Sequence, residues 1–478
     1  MMTENPTVIA SIYEKIWDLS PKLRDPECYQ ALEKLTRQLI NIYDLDGRLN
    51  ENPFASTANR NLSLPIDKLT HLLKNRTCLV TGGLGCVGSQ LVKTLLQFGV
   101  KQVIVVDKKV FDPQLFTDSE RIIYFQEDVC NRLGINGIFE RCCPDIVFHI
   151  AAQRDPGLAE TEVYNSVNVN VIGTLNVVQA CENTASVKNC IFSSTGKASR
   201  YYTDEVYAAT KKICEFIFDT YSRQSAIRYS FVRFTHILEN SLMNINLKEQ
   251  TNGDHVFIHS PGKYVTAQNV EESANLLLNA LLNTVIGQCN FLIVRYLEWP
   301  VESLEVALYY IKLSGKPLPI IFKGNPMGYT EKFFRGQMDW SNPQELNLLI
   351  NVYEHKKKTY NAEGDIIISQ IGATDRSVLS NALKNIKDAR GDQATKQVLF
   401  KELKNIVQAS LELFDKEDTV NILNWGLLPQ FLKAEKSKVS DYGPTVSLLM
   451  DSLKGTSFED EVKNLIVTTG LESSLENA

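Results

Sequence analysis

The sequence has no apolar run approaching the length needed to cross a bilayer, and its opening residues, MMTENPTVIASIYEKIWDLS, lack a basic start, a long apolar centre and a small-residue cleavage site. The first absence argues against a membrane-spanning helix and the second against a secretory leader, so the reading is a cytoplasmic protein. An excess of one charge is missing too. Fifty Lys and Arg stand against 56 Asp and Glu, a formal net charge of -6, which gives no general field for nucleic acid. Histidine is scarce at six residues, and the ten cysteines, all before residue 290, form no CxxC pair and no spacing with His that suggests zinc. They read as buried reduced thiols, and no metal is expected. Internal repeats and low-complexity tracts are absent as well.

What is present is concentrated between Arg76 and Lys109, RTCLVTGGLGCVGSQLVKTLLQFGVKQVIVVDKK. An apolar run, Cys78 to Val80, meets glycines at 82, 83, 85 and 88; Leu91, Val92, Leu95 and Leu96 follow at helical spacing, and a second apolar run, Val103 to Val106, ends in Asp107. This is one βαβ unit. Gly82 suits a sharp turn, Gly85 a close approach of backbone to a pyrophosphate, and Gly88 the packing of helix on strand. The helix start at Cys86, Val87 and Gly88 offers N–H groups and a dipole that favour phosphate. Asp107, 19 residues after Gly88, suits the ribose hydroxyls of NAD, while Lys108 and Lys109 leave NADP as an alternative.

Strands and helices go on alternating, as a parallel sheet covered on both faces requires. A strand from Ile122 to Phe125 leads to Asp128 and Val129, which suit the adenine amino group and ring. Another, from Asp145 to Ile150, runs into Ala151 and Ala152, small enough to let a dinucleotide cross the sheet. Asn168 to Ala180 reads as a buried helix in which Asn170 is either a satisfied core amide or a brace for the site. A strand at Cys190 to Phe192 ends in Ser193-Ser194-Thr195-Gly196-Lys197, and Tyr207 and Lys211 follow one helical turn apart. A lysine beside a phenol stabilises the phenolate, so Tyr207 is the candidate general base. Tyr353 and Lys357 share the spacing but lie in a polar run, YEHKKK.

The fold expected is α/β, a Rossmann-type doubly wound parallel sheet with N- and C-terminal helical extensions. Three parts are expected: residues 1–72, a helical packing or oligomerisation appendage; 73–344, the NAD(P)-binding domain with its substrate part; and 345–478, charged amphipathic helices without a catalytic constellation.

With these residues in place, the chain resembles the extended short-chain dehydrogenase/reductases, and within them the bacterial polysaccharide-biosynthesis group that includes nucleotide-sugar 4,6-dehydratases. The stretches that carry the likeness are LLKNRTCLVTGGLGCVGSQL, PDIVFHIAAQRDPGLAE, NVIGTLNVVQAC, and IFSSTGKAS followed by YAATKKICE, with a weaker echo in TEKFF at 330–334. The resemblance implies oxidation at C4 of a nucleotide-activated sugar, with Tyr207 as base, Thr195 holding the hydroxyl, Lys211 on the nicotinamide ribose and Lys197 as second base. It also implies a homo-oligomer paired through the helix that carries Lys211. Of the family's Ser-Thr-Asp-Lys run, Ser194, Thr195 and Lys197 keep three places, but Gly196 stands where the acid belongs. General-acid contributions are typically worth about 10²–10⁴ in rate, so dehydration, 5-epimerisation and plain oxidation–reduction stay open. Asp204 or Glu205 is a candidate replacement donor. Two other readings are an oxidoreductase on a small alcohol or ketone and a cofactor-binding scaffold without turnover.

Overall fold

The computed structural model describes residues 6–240 and 243–460; residues 1–5, 241–242 and 461–478, the last of these the end of the expected helical C-terminal region, lie outside the described residues. The chain divides into two units.

The larger unit, built from 62–234, 274–295 and 327–460, carries a sheet of nine strands among the described residues. They are β1 (Thr77–Thr81), β2 (Gln102–Asp107), β3 (Ile122–Gln126), β4 (Ile146–His149), β5 (Asn189–Thr195), β6 (Arg228–Phe234), β7 (Asn290–Val294), β8 (Thr359–Tyr360) and β9 (Ile366–Ser369). Their order is β8-β9-β7-β6-β5-β4-β1-β2-β3. β3 through β7 in that order are parallel, whereas β9 runs antiparallel to both β7 and β8. β1, β4 and most of β5 are buried along their length. This is why TCLVT, IVFH and NCIFSST read as near-continuous rather than alternating apolar runs: helices cover both faces. The Rossmann-type doubly wound sheet expected from the sequence is therefore present, and its order reverses between β1 and β4. Such a reversal opens a crevice at the carboxyl ends of those strands.

Helices α1 (Cys86–Gln97), α2 (Arg132–Cys142), α3 (Gly173–Glu182), α4 (Val206–Ser222), α5 (Arg376–Asp388) and α6 (Asp392–Leu411) surround the sheet. The helix expected from Asn168 to Ala180 is interrupted: Asn168–Ile172 is a π-helical turn ahead of α3. In α4, 15 of 17 residues are buried, because the sheet lies on one side and α5 and α6 pack on others. The helix expected to pair subunits packs against the chain's own C-terminal helices.

The expected division at 72 and 344 is not the division of the fold. Residues beyond 344 add β8 and β9 to the sheet and anchor the unit's interior. The Arg233 guanidinium on β6 is fully buried and holds Glu215 of α4 (Nε–Oε1 2.9 Å, Nη2–Oε2 2.8 Å) and Glu354 (2.7 Å to each oxygen). Ser194 Oγ, at the end of β5, donates to the same Glu215 at 2.6 Å. A buried cation with two bidentate acids ties strand, helix and C-terminal region into one body.

The smaller unit contains 6–61, 235–273 and 296–326. Its N-terminal residues are no appendage. Helices Pro6–Leu19 and Pro26–Leu45 bury Ile16, Leu32 and Leu39 in one core with Leu304, Leu308 and Ile320. Asp25 caps the second helix by accepting the N–H groups of Glu27 and Cys28. Arg48, just beyond it, pairs with Glu302 and Glu305 at 2.9 and 2.7 Å. The apolar stripes at Ile9–Leu19 and Cys28–Tyr43 were visible in the sequence; their partners, more than 200 residues later, were not.

Candidate functional site

The glycine loop is shaped by contacts that leave no room for side chains. Gly82 has φ +70°, and a Cβ on it would lie 2.7 Å from the Ala151 nitrogen; one on Gly88 would lie 2.1 Å from the Gly82 oxygen. Loop, helix and the end of β4 therefore meet, and Ala151 and Ala152 border the loop. At Gly85, which caps α1, no side chain bonds the helix N-terminus, and the first turn holds no acid. The N–H groups of Cys86, Val87 and Gly88 open a 12-residue helix whose N-cap is a glycine and whose first turn holds no acid.

Asp107, at the end of β2, is nearly buried. Its Oδ2 accepts the Leu84 N–H of the glycine loop and its Oδ1 the Lys109 N–H, both at 3.0 Å. A carboxylate has about four acceptor positions, so each oxygen keeps one for a ribose hydroxyl. Lys108 is exposed. Asp128 Oδ1 accepts the Cys130 N–H at 2.8 Å, and Val129 is buried, its carbonyl held by Asn176 of α3. A glycine-capped helix start without an acid in its first turn, a cradle that a Cβ would fill, and a carboxylate at the neighbouring strand end fit a dinucleotide.

Thr195 ends β5 and hydrogen-bonds the Tyr207 phenol; Tyr207 stands half-buried in the first turn of α4, and Lys211 is buried one turn on. Thr195 and Tyr207 meet and Lys211 follows one turn on in α4, but the charges are not as expected. Burial pushes Tyr207 up to about 12, against the Thr195 hydrogen bond and the Arg154 charge, which pull it down. Burial also lowers Lys211 to about 8, and its ammonium lies over the Phe192 ring at 4.2 Å. Within the protein alone, Arg154 rather than Lys211 is the cation that lowers the phenol. Arg154 was overlooked although it follows the Ala151-Ala152 pair by two residues.

Lys197 is engaged rather than free. Its Nζ donates to Glu205 Oε2 at 2.5 Å and to the Gly328 carbonyl at 3.1 Å, and it sits 5.2 Å from the Tyr329 ring centre. Burial lowers its pKa, and Glu205 opposes this. Glu205 is buried and also meets Arg200 at 3.1 Å, so of the two candidate donors it faces Lys197, while exposed Asp204 lines a neighbouring cleft. Tyr329 carries a second phenol into this group, influenced by Asp155, Glu205, Arg154 and Tyr207. In the sequence it stands directly before the TEKFF stretch at 330–334 and carries no signal of its own.

At Gly196 an acid would have to displace the Leu349 side chain. A Cβ there would lie 2.1 Å from Leu349 Cδ2. Leu349 gave no sign of this in the sequence. Asn170 proves to be both things at once: its amide accepts the Gln153 N–H at 2.8 Å, donates to the Gln153 carbonyl at 3.0 Å and to Thr210 of α4 at 3.0 Å. Tyr353, the decoy, is core, stacked on Phe414 with ring centres 3.9 Å apart.

A family model described as "Polysaccharide biosynthesis protein" matches residues 78–321, about half of the chain. The chain belongs to this polysaccharide biosynthesis family. One relative within reach is an uncharacterised membrane protein of Methanocaldococcus jannaschii, 32% identical over 221 residues, 44% of this chain and 65% of the relative. A dTDP-glucose 4,6-dehydratase of Shigella flexneri is 31% identical over 134 residues, 27% of this chain and 37% of the relative. The chain therefore spans less than two thirds of either. Among solved structures, that of Pen from Bacillus thuringiensis superposes with a TM-score of 0.53 at 20% identity, covering 62% of this chain and 87% of the other; the likeness is one of fold. Despite the Methanocaldococcus relative's name, no helix among the described residues of this family member is long and apolar enough to cross a membrane.

Proposed function

We propose that the chain is an NAD-dependent enzyme acting on a nucleotide-activated sugar, beginning with oxidation at C4. The observation that carries this is the meeting of Thr195 and Tyr207 at the carboxyl end of β5, with Lys211 one turn on in α4, in a unit whose glycine loop, α1 terminus and Asp107 fit a dinucleotide. Gly82, Gly85, Cys86, Val87 and Gly88 would hold the pyrophosphate, Asp107 the adenosine ribose, and Asp128 and Val129 the adenine. Ala151 and Ala152 would leave passage, and Lys211 would reach the nicotinamide ribose. The nearly buried Asp107 carboxylate disfavours a 2′-phosphate, which supports NAD over the NADP that Lys108 left open.

When bound, NAD supplies the hydride acceptor. Tyr207 takes the proton of the sugar 4-hydroxyl, and Thr195 orients that hydroxyl. Arg154 stabilises the phenolate, a protonated Lys211 one turn on would add to this, and an oxidised nicotinamide bound beside them would contribute its own positive charge. Lys197, its proton exchangeable with Glu205, removes the proton that the 4-ketone acidifies at C5. Because Leu349 fills the place beside Gly196, no carboxylate from that position protonates a departing C6 hydroxyl. This favours 5-epimerisation or plain oxidation and reduction over dehydration. The Shigella flexneri relative's name and the family description support the nucleotide-sugar class.

The test is incubation of the chain with UDP- and dTDP-sugars in deuterium oxide. Solvent deuterium at C5 with the C6 hydroxyl retained is the expected product. A 4-keto-6-deoxy product would overturn the outcome, and the absence of any nicotinamide reduction or sugar conversion would leave the small-alcohol reading standing. A homo-oligomer, where one forms, uses a surface other than α4.

A further inference from the structure

Lys197 stands on a single 3₁₀ turn, Gly196–Ser199, set between the end of β5 and an extended Arg200. So short a turn, followed by extended chain, leaves the carbonyls of its last residues without helical N–H partners. Ala198 and Ser199 are fully buried, where such carbonyls need partners from elsewhere. Side chains supply them. Lys212 of α4 donates its Nζ to the Ala198 carbonyl at 3.0 Å, and Asn351 donates its Nδ2 to the Ser199 carbonyl at 2.9 Å. The Ser199 hydroxyl closes the turn, 2.7 Å from the Gly196 carbonyl, and Gln337 Nε2 donates to that hydroxyl at 2.7 Å.

The braces are themselves fixed. Gln337 is buried, and its Nε2 also reaches the Leu348 carbonyl at 3.3 Å. Asn351 is buried too, and its Oδ1 accepts the Glu354 N–H at 3.1 Å, so the amide is held at both of its ends. Between them Leu349 packs on Gly196, with its carbonyl held by Arg233 at 2.9 Å. Gln337, Leu349 and Asn351 all lie past residue 321, where the match to the family ends. The turn is thus braced by a part of the chain in which the sequence offered no catalytic constellation.

We propose that Gln337, together with Asn351 and Lys212, is a positioning residue for Lys197: by holding Ser199 it fixes the turn from which the lysine reaches the site. A lysine stem is long and flexible, so its ammonium is placed only where the backbone at its root is held, and a displacement of about 1 Å costs a reacting group about 10²-fold in rate. The inference rests on the reaction proposed above for what Lys197 does, whereas the placement of Lys197 is measurable without that reaction. Thr195, one residue before the turn, is held instead by its pairing with Phe234 of β6. Loss of the brace should therefore fall on the step at C5 and spare the oxidation at C4.

Competitive acetylation of the lysines of the full chain, followed peptide by peptide across pH, reads Lys197 with neither sugar nor nicotinamide present. Burial is the largest influence on Lys197 and holds it below the ordinary lysine value. In Gln337→Met, similar in length but without the donor, the turn loosens, water reaches the ammonium, and the labelling midpoint of Lys197 should rise. Ser199→Ala removes the hydroxyl that Gln337 holds and should do the same, and the double variant should shift the midpoint no further than the larger single change. Asp25→Ala, which uncaps a helix of the smaller unit, controls for general loosening and should leave Lys197 unmoved. With nucleotide sugars in deuterium oxide, Gln337→Met should lower exchange at C5 by about 10- to 10²-fold while KM and nicotinamide reduction stay nearly unchanged. A midpoint unmoved in both single variants, additive shifts in the double variant, or an equal shift in Asp25→Ala would each overturn the assignment. A parent chain that labels as expected but exchanges no proton at C5 would overturn the reaction and leave the placement of Lys197 standing.

Discussion

Burial works on Tyr207 and Lys211 in opposite directions, raising the acid form of the phenol to about 12 and pulling the ammonium down to about 8. A phenol so placed is a poor base until positive charge arrives beside it, and Arg154 is the side chain already contributing. Tyr207→Phe is expected to lower kcat by about 10²–10⁴ with the thermal midpoint nearly unchanged. Arg154→Met should lower kcat less, and a melting curve like that of the parent chain would confirm that charge rather than packing was lost. At Gly196 the constraint is steric. Gly196→Asp forces its Cβ into Leu349 and is expected to cost about 1–3 kcal/mol. Combined with Leu349→Ala, which alone leaves a cavity worth about 2–5 kcal/mol, it should lose less than the sum of the two. Strict additivity in chemical denaturation would mean that the two side chains do not compete for one space.

At the scale of elements, the parallel half of the sheet was legible because each of its strands is a short, nearly continuous apolar run ended by glycine, acid or hydroxyl. α1 and α4 were legible because Leu91, Leu95, Ile213 and Ile217 repeat at helical spacing. β9 was missed although Ile366 to Ile368 form such a run. The charged residues around it dominate the local composition, its near partner β8 is only two residues long, and its other antiparallel partner, β7, ends 72 residues earlier at Val294. The site divides in the same way. Residues in the βαβ unit and the Tyr207–Lys211 pair have fixed spacings, whereas Leu349, Tyr329 and Glu205 act by proximity that only the fold creates. Arg233 belongs to this second group. Arg233→Met would leave Glu215 and Glu354 buried without their cation, and a loss of about 3–5 kcal/mol in urea denaturation is expected. An unchanged midpoint would show that the two acids find protons or water at little cost.

For the molecule as a whole, the residues past 344 behave as part of the larger unit. Arg295, Lys358 and Tyr360 meet around Glu345, and although burial pushes its carboxyl up, their hydrogen bonds hold it down at about 2. A carboxyl depressed in the folded state adds stability that is fully present above about 4.5 and fades as pH falls toward about 2, here at most about 3 kcal/mol. Glu345→Gln should therefore reduce the melting temperature most at pH 7, less at pH 3, and hardly at all once the pH falls to about 2. Light scattering on the intact chain should give the mass of a monomer wherever association would need α4, and a dimer broken by substitutions on that helix would contradict its sheathing by α5 and α6. The antiparallel position of β9 also has a bearing on biosynthesis. While the polypeptide is being made, the open side of β7 has no β9 neighbour from the synthesis of residue 294 until residue 369 has left the ribosome, so over that stretch the nascent chain carries a bare edge of backbone donors and acceptors.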